Sequence, residues 1–402
     1  MSISKIRFKG FNTSLERKHM GEITTSFSGG TPKSSNKSYY EGDIPFIRSG
    51  EVKSKQTELF ISDEALQNSS AKMVSQGDIL YALYGATSGE VAISQINGAI
   101  NQAILAIKPK SGYSSEFIMN YLKKEKNNIL EKYLQGGQGN LSAAIVKSIE
   151  LSLPSPEEQS AIGSLFRTLD DLLASYKENL ANYQSLKATM LSKMFPKAGE
   201  TVPEIRLDGF EGEWKVRKLK RLVERVTRKN SDLVSERALT ISAQYGLVDQ
   251  EEFFNKKVAS KDVSGYYLIK NGEFAYNKSY SNGYPFGAIK RLDKYDFGVL
   301  STLYILFKPV DVNSDYLACY YESGKWYKEV SMCAAEGARN HGLLNISPND
   351  FFNTLLVLPR TLEEQKAIGS FFSNLDTLIS SYQEKVSQLE TLKKKLLQDM
   401  FI

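Results

Sequence analysis

One long segment occurs twice in this chain, and its two copies constrain the fold more than any other feature. Glu158 to Phe195 and Glu364 to Phe401 align without a gap at an offset of 206 residues. Each copy has an apolar residue at every seventh position, which predicts a helix with a continuous apolar seam. A helix of this length extends roughly 57 Å and would be poorly stable alone in water. We therefore predict that the two copies pack on each other.

The predicted seam consists of the heptad residues of both copies. If the first helix runs away from the first half of the chain and the second returns, the copies pack antiparallel about a pseudo-twofold axis. Equivalent positions then pair in reverse order, so that Tyr176 faces Tyr382 and Tyr183 faces Leu375. The seam residues are Ile162, Leu169, Tyr176, Tyr183 and Met190 in the first helix and Ile368, Leu375, Tyr382, Leu389 and Leu396 in the second.

A second repeat opens each half of the chain. The motif IRFKGF at residues 6–11 recurs as IRLDGF at residues 205–210, and Leu15 stands where Trp214 stands in the second half. The organisation is therefore a tandem duplication in which a globular module precedes a long helix, twice. The predicted domains are a first module at residues 1–155, a first helix at 156–198, a second module at 199–360 and a second helix at 361–402.

Short apolar runs between turn residues predict strands in both modules. The predicted strands lie at residues 44–47, 77–85, 91–93, 103–107, 272–276, 287–289 and 303–307, and the strand residues Tyr276 and Tyr304 are expected in the core. Glycine-rich loops are predicted at residues 135–140 and 335–342. The fold class is therefore α+β, with two mixed α/β modules separated by two long helices in an antiparallel coiled coil.

Composition limits the possible functions. A chain of 402 residues exceeds what one core usually covers, which predicts at least two domains. It contains only two cysteines and two histidines, so a zinc centre or a histidine general base is disfavoured. The N-terminus has no signal-peptide pattern, and no apolar run reaches membrane-spanning length, so we expect a cytoplasmic protein. The net charge of +5 permits nucleic acid as a partner without requiring it.

Several motifs resemble those of the specificity subunits of type I restriction-modification systems. The first half contains GGTP, GDIPFI, GDILYALYG, INQAILAIKP and NLS, and the second contains YNKSYSNGYPFGAIKR, GVLSTLYILFKP and GARNH. Both long helices share the family's EEQ…IG…LD…L pattern. Leu15 departs from the aromatic residue of the opening motif, and Thr361-Leu362 replaces the Ser-Pro that precedes the first EEQ.

The resemblance implies a subunit of a bacterial defence system that binds double-stranded DNA. Its modules would be target-recognition domains that each read half of a bipartite site, and its helices would set the spacer and dock modification subunits, of which two are expected. Restriction subunits would join the full complex. The chain itself would carry no catalytic residue, metal or cofactor, so S-adenosylmethionine, ATP and Mg²⁺ would bind to the partner subunits.

Candidate DNA contacts are turn residues that combine basic, amide, hydroxyl and aromatic side chains, because such groups read base edges or hold phosphates. The basic segment at residues 216–230 fits a solvated helix face and a phosphate-contacting face equally well. The candidates are Lys33, Ser34, Asn36, Lys37, Tyr39, Arg48, Lys53, Lys55, Arg217, Lys220, Arg228, Lys278, Tyr280, Asn282, Tyr284, Arg339, Asn340 and His341.

Two other classes of function remain as alternatives. Asp43, Glu51 and Lys53 have a spacing that could hold a divalent ion for phosphodiester cleavage, although it arises often by chance. The sequence has no methyltransferase Asn-Pro-Pro-aromatic motif, no glycine-rich methyl-donor loop and no GxxxxGK[ST] phosphate loop. A coiled-coil scaffold without DNA contact would account for the helices but not for two diverged modules.

Overall fold

The computed structural model describes residues 6–134, 140–242, 245–256, 259–279, 283–333 and 344–401. Within them the chain divides into two compact units, which are Met1–Glu178 with Glu384–Ile402 and Asn179–Gln383. We call these unit 1 and unit 2. The domain boundaries given above from the sequence stay predictions. No helix in the described ranges is long and apolar enough to cross a membrane.

Both units combine short strands with helices. The described strands are β1 (Glu16–His19), β2 (Thr24–Ser28), β3 (Ile44–Ile47), β4 (Phe60–Ile61), β5 (Lys72–Val74), β6 (Ile79–Ala82), β7 (Val91–Ile93), β8 (Gly98–Ile100), β9 (Ile104–Pro109), β10 (Glu150–Leu153), β11 (Lys215–Lys218), β12 (Val223–Val226), β13 (Leu239–Ser242), β14 (Gly246–Asp249), β15 (Tyr267–Lys270), β16 (Phe274–Asn277), β17 (Ala288–Arg291), β18 (Phe297–Leu300), β19 (Ile305–Pro309) and β20 (Leu355–Leu358).

The helices range from single turns to very long rods. The described helices are α1 (Met20–Ile23), α2 (Asp63–Gln67), α3 (Ser115–Leu134), α4 (Ala143–Lys147), α5 (Pro156–Lys193), α6 (Gln250–Phe254), α7 (Ser314–Glu322), α8 (Tyr327–Cys333), α9 (Pro348–Asn353) and α10 (Leu362–Met400). Short 3₁₀ segments lie at Lys37–Tyr40, Ser49–Glu51 and Leu219–Arg221.

The two units share a plan in their sheets. Unit 1 has the antiparallel order β2-β9-β6-β7, and unit 2 has the equivalent order β12-β19-β16-β17. The strands that open each module pair with the strands that lead into the long helices, β1 with β10 and β11 with β20. The remaining strands differ, because unit 1 joins β4-β3-β8-β5 into one sheet whereas unit 2 has the separate pairs β13-β14 and β15-β18. The modules are therefore duplicated at the helix side and diverged elsewhere.

The predicted strands are confirmed as β3, β6, β7, β9, β16, β17 and β19, each within a few residues. Tyr276 is fully buried, as predicted. Tyr304 lies just before β19 rather than within it, half-buried against the core of that sheet. The predicted glycine loops fall largely on residues outside the described ranges.

The two long helices are confirmed as α5 and α10, and their antiparallel direction is visible within each unit. In unit 1, Lys393 pairs with Asp170 and Lys177 pairs with Glu390, so residue numbers fall along one helix as they rise along the other. In unit 2 the Lys187 Nζ lies 2.6 Å from Asp376 Oδ1. The Lys393–Asp170 pair of unit 1 and the Lys187–Asp376 pair of unit 2 are formed by equivalent residues of the repeat.

The predicted register of the seam is wrong by about one heptad. The rings of Tyr183 and Tyr382 lie 5.3 Å apart, whereas Tyr183 was expected to face Leu375. The cause lies at the helix ends, where Phe401 packs 5.7 Å from Phe166 in the unit 1 core. Phe195 packs 6.1 Å from Phe372 in the equivalent place of unit 2. Each helix end is thus fixed by a module core, which staggers the two helices.

The seam residues are most deeply buried near the modules. Ile162, Leu169, Ile368 and Leu375 are buried, and the other six are half-buried. The helix segments that lie against the modules therefore contribute most of the apolar burial of the seam, since the free energy gained scales with the area removed from water.

Candidate nucleic-acid interface

The turn at residues 33–40 presents basic and hydroxyl groups to solvent. Lys33, Ser34 and Lys37 are exposed, which is compatible with contact to a phosphate. Asn36 is half-buried and accepts a hydrogen bond from the Ser38 hydroxyl at 2.8 Å. Tyr39 packs against the small core beneath the turn. The turn therefore offers its two lysines and Ser34 more directly than Asn36 or Tyr39.

Arg48 is held by carboxylates of its own loop. Its guanidinium donates to Glu51 and Glu58 at 2.8 Å each. Burial disfavours ionised Glu51, but hydrogen bonds from Arg48, from the Glu58 amide and from the Thr57 hydroxyl outweigh it and lower the Glu51 pKa to about 2. Glu51 is therefore an ionised acceptor that shapes the loop. Arg48 contributes a base contact only if this bridge opens.

The same loop also carries two other candidates. Lys53 is exposed and pairs with Glu90, which directly precedes β7, and Lys55 is exposed. Glu51 and Lys53 thus point to different partners, and the geometry lends no support to a joint metal site with Asp43. In the described part of the chain no three His, Cys, Asp or Glu side chains lie close enough together to hold a metal ion.

The basic segment at residues 216–230 is not a helix, which corrects the interpretation as a solvated helix face. It forms β11, a 3₁₀ turn and β12, because these stretches pair with β20 and β19. Arg217 donates to Asp311 at 2.7 Å, and Arg228 donates to the buried Glu273 at 2.8 Å. Lys220 is exposed at the turn. The segment therefore divides its positive charge between internal ion pairs and solvent.

The remaining candidates lie in unit 2. Lys278 is half-buried, and its Nζ lies 3.4 Å from the Ile346 carbonyl oxygen. Tyr284 lines a cavity of about 370 Å³ beside α5. Five candidates lie outside the described residues, namely Tyr280, Asn282, Arg339, Asn340 and His341. The described candidates of unit 2 thus lie on β11, on the following 3₁₀ turn, just after β12 and between β16 and β17.

Each module is fastened to its long helix by an arginine from the opening motif. Arg7 donates through Nε to Glu158 Oε1 at 2.9 Å, and its Nη2 donates to Glu158 Oε2. Arg206 binds Glu364 in the same bidentate manner at 2.8 and 2.9 Å. Both glutamates are almost fully buried. Bidentate pairs of this kind fix orientation as well as distance.

The glutamine that follows each of these glutamates extends the attachment. Gln159 donates to the Pro154 carbonyl at 2.9 Å and accepts from the Ser114 amide at 3.3 Å. Gln365 makes the equivalent contacts with Pro359 and Asn313. In each unit, the glutamine side chain therefore links the proline before the long helix to the start of α3 or α7.

A glycine of each long helix permits close approach to the next helix. A Cβ at Gly163 would lie 2.8 Å from Glu116 Cβ, and one at Gly369 would lie 2.7 Å from Asp315 Cβ. Such contacts are too short, so α3 and α7 can pack this closely only on glycine. The EEQ…IG pattern is thus the attachment site of each module.

The replacement of tryptophan by Leu15 has a structural consequence. Trp214 is buried in unit 2 and donates through Nε1 to Glu364 Oε1 at 3.1 Å. Leu15 is half-buried and offers no donor to Glu158. The carboxylate in unit 1 therefore relies more heavily on Arg7. The sequence pattern alone does not indicate this attachment, although an arginine and a glutamate recur together in both halves.

Known proteins share both the sequence pattern and the fold. Residues 13–183 match the model of the type I restriction modification DNA specificity domain. The type I restriction enzyme MjaVIII specificity subunit of Methanocaldococcus jannaschii is 23% identical over 81% of this chain and 78% of its own. The MjaIX specificity subunit of the same organism is 30% identical over 40% of this chain, and the match spans only 38% of that relative.

A solved structure shows the same fold. The type I restriction-modification S subunit from M. genitalium aligns over 100% of this chain and 99% of its own, with a TM-score of 0.61 and 14% identity. The molecule is an α+β protein of two modules and two long helices. The chain is therefore similar in sequence to specificity subunits of type I restriction-modification systems, with the match to the family's DNA specificity domain at residues 13–183, and it shares the fold of a solved S subunit.

Proposed function

We propose that this chain is the DNA-recognition subunit of a type I restriction-modification enzyme and that each module reads one half of a bipartite DNA target. The observation that carries the proposal is the duplicated attachment, in which Arg7 with Glu158 and Arg206 with Glu364 hold two diverged modules in the same way. Two modules that are attached in the same way but differ in the rest of their structure are suited to reading two different half-sites. The match of residues 13–183 to a DNA specificity domain supports DNA as the partner.

The long helices would set the distance between the half-sites. Residues up to Glu178 of α5 belong to unit 1 and the rest to unit 2, and α10 is divided in the opposite order. A continuous helix advances about 1.5 Å and turns about 100° per residue, so under this proposal a change in helix length would change the distance and the rotation between the half-sites that are read. The separation of the half-sites would therefore follow helix length.

The helices would also dock the modification subunits, and repeated exposed leucines support this role. Leu172 and Leu392 are 40% and 45% exposed in unit 1, and Leu186 and Leu378 are 37% and 41% exposed in unit 2. In the repeat, Leu172 is equivalent to Leu378, and Leu186 is equivalent to Leu392. In unit 1 they lie at one level of the two helices, because Lys393 pairs with Asp170. Two equivalent apolar patches would suit two copies of one partner.

Catalysis would then reside in the partners. Methyl transfer would use S-adenosylmethionine on the modification subunits, and cleavage would use ATP and Mg²⁺ on restriction subunits in the full complex. A chain that works on cellular DNA in this way would act in the cytoplasm. The absence of catalytic motifs from the sequence supports this division of labour.

The purified chain is expected neither to methylate nor to cleave DNA, whereas co-expression with its modification subunits should yield methylated DNA. Sequencing of the methylated sites should show two short defined halves separated by an unspecified spacer. Binding of a mixed DNA pool at low and high salt gives a second readout, since phosphate contacts weaken with salt. Methyl transfer by the chain alone, or a complex that binds no DNA, would refute the proposal.

A further inference from the structure

Helices α3 and α7 occupy equivalent places in the two units. The Ser114 hydroxyl accepts from the Phe117 amide at 3.2 Å, and the Asn313 side chain accepts from the Tyr316 amide at 2.9 Å. Both helices then pass the close-approach glycine of a long helix. Counting forward from these caps makes Lys123 of α3 the equivalent of Glu322 of α7. The two units therefore carry opposite charges at one position.

In unit 2 this position completes a balanced network. Glu322 accepts from Lys187 at 2.7 Å and from Lys290 at 3.4 Å, and Lys187 also binds Asp376. Burial disfavours charged Lys187, but the charges of Glu322 and Asp376 outweigh it and raise the Lys187 pKa. Two cations face two anions, so the module is tied to both long helices without excess charge.

In unit 1 the equivalent place has an excess of positive charge. Lys393 binds Asp170, as Lys187 binds Asp376 in unit 2. Lys53 and Lys126 both bind Glu90. Lys123 then adds a fourth cation, for which the described residues supply no ion-pair partner. Burial, followed by the charge of Lys393, lowers the Lys123 pKa.

We propose that these four lysines, Lys53, Lys123, Lys126 and Lys393, form a binding site for a phosphate of the DNA backbone. We call them the unit 1 lysine cluster, and the inference rests on the proposed DNA-binding function. Four cations against Glu90 and Asp170 leave two positive charges that a phosphodiester would offset.

The site is also open to solvent. The Lys53 side chain is 60% exposed and that of Lys126 is 31% exposed, and the exposed Lys55 lies in the same loop. DNA would therefore approach the cluster from the side of Lys53 and Lys126, whereas Lys123 is half-buried and the Lys393 side chain is 20% exposed.

The charge pattern also indicates that the cluster lowers the stability of unit 1. A glutamate at position 123 would complete the network seen in unit 2, so the lysine weakens the unit 1 fold relative to its repeat. A local conflict of this kind is expected at a functional site. The unit 1 lysine cluster therefore exchanges stability for a phosphate contact that the balanced network of unit 2 lacks.

The test uses Lys123→Glu in the full chain, co-expressed with its modification subunits. Binding to a random-sequence duplex is measured over a series of salt concentrations. Each lost phosphate contact should reduce the slope of log affinity against log salt by about 0.9. The thermal unfolding midpoint should rise at the same time. Lys123→Gln should reduce the slope as well, which guards against misfolding of the charge-reversed variant.

Lys132→Glu is the matched control, because it makes the same change in net charge on the exposed part of α3. It should leave the salt slope close to that of the unchanged chain. The inference is overturned if Lys123→Glu and Lys123→Gln keep the slope, or if they lose only the modification subunits, which would assign the site to a partner carboxylate. An unchanged chain that binds no duplex at any salt concentration would instead refute the proposed function, and this site with it.

Discussion

Replacing Arg206 with methionine is expected to lower the free energy of unfolding of unit 2 by about 3 to 5 kcal/mol, the usual cost of breaking a buried ion pair from one side. The Glu364 side chain is only 4% exposed, and Trp214 would be its remaining side-chain donor. The buried carboxylate would thus lose both of the hydrogen bonds that the guanidinium donates to it. Trp214 and Trp326 are the tryptophans of the chain, so tryptophan fluorescence during urea unfolding reports unit 2.

Two control variants isolate the ion pair. Arg206→Met combined with Glu364→Gln should recover part of the loss, because no charge is then left buried. Arg7→Met removes the equivalent arginine of unit 1 and should leave the tryptophan transition largely in place. A loss below about 1 kcal/mol for Arg206→Met, within the range of surface salt bridges, would show that the pair does not anchor the module.

Lengthening both long helices by four residues is expected to lengthen the unspecified spacer of the DNA target by one base pair. Insertions after Glu178 and after Gln383, where the unit boundaries fall, keep the ion pairs of each unit intact. Four residues add roughly 6 Å and about 40° beyond a full turn. One base pair adds about 3.4 Å and roughly 35° of DNA rotation.

Rotation should decide this outcome. One added base pair matches the rotation and about half the translation, whereas two match the translation and overshoot the rotation. A misaligned groove loses its base contacts, while short DNA absorbs a few ångströms by bending at modest cost. Sequencing of the methylated sites checks the spacer, and both half-site sequences should be retained. An unchanged spacer would show that α5 and α10 do not set the distance.

The long helices could be predicted from the sequence to within about two residues, but their register could not. A seven-residue period specifies a seam, and it is equally satisfied when one helix slides by a whole heptad. The choice is made by Phe195 and Phe401, which insert into module cores built from distant residues. Nothing local to either helix encodes those cores.

The candidate contacts show a similar limit. The basic residues at 216–230 were visible as a charge cluster, but pairing with β19 and β20 from much later in the chain makes the segment a strand pair. Arg217 and Arg228 looked available because Asp311 and Glu273 are remote in sequence. Repeated motifs were recognised easily, whereas their partners depend on tertiary contacts that no local pattern specifies.

The most direct test of the central claim is to exchange the second module and sequence the methylated sites. Residues Val202 to Arg360 are replaced by the matching segment of a relative whose own motif retains the arginine of the Arg206 attachment. The account predicts that one half of the target changes to that of the donor, while the other half and the spacer length stay the same. A change in both halves, or in neither, would contradict two independent reading modules.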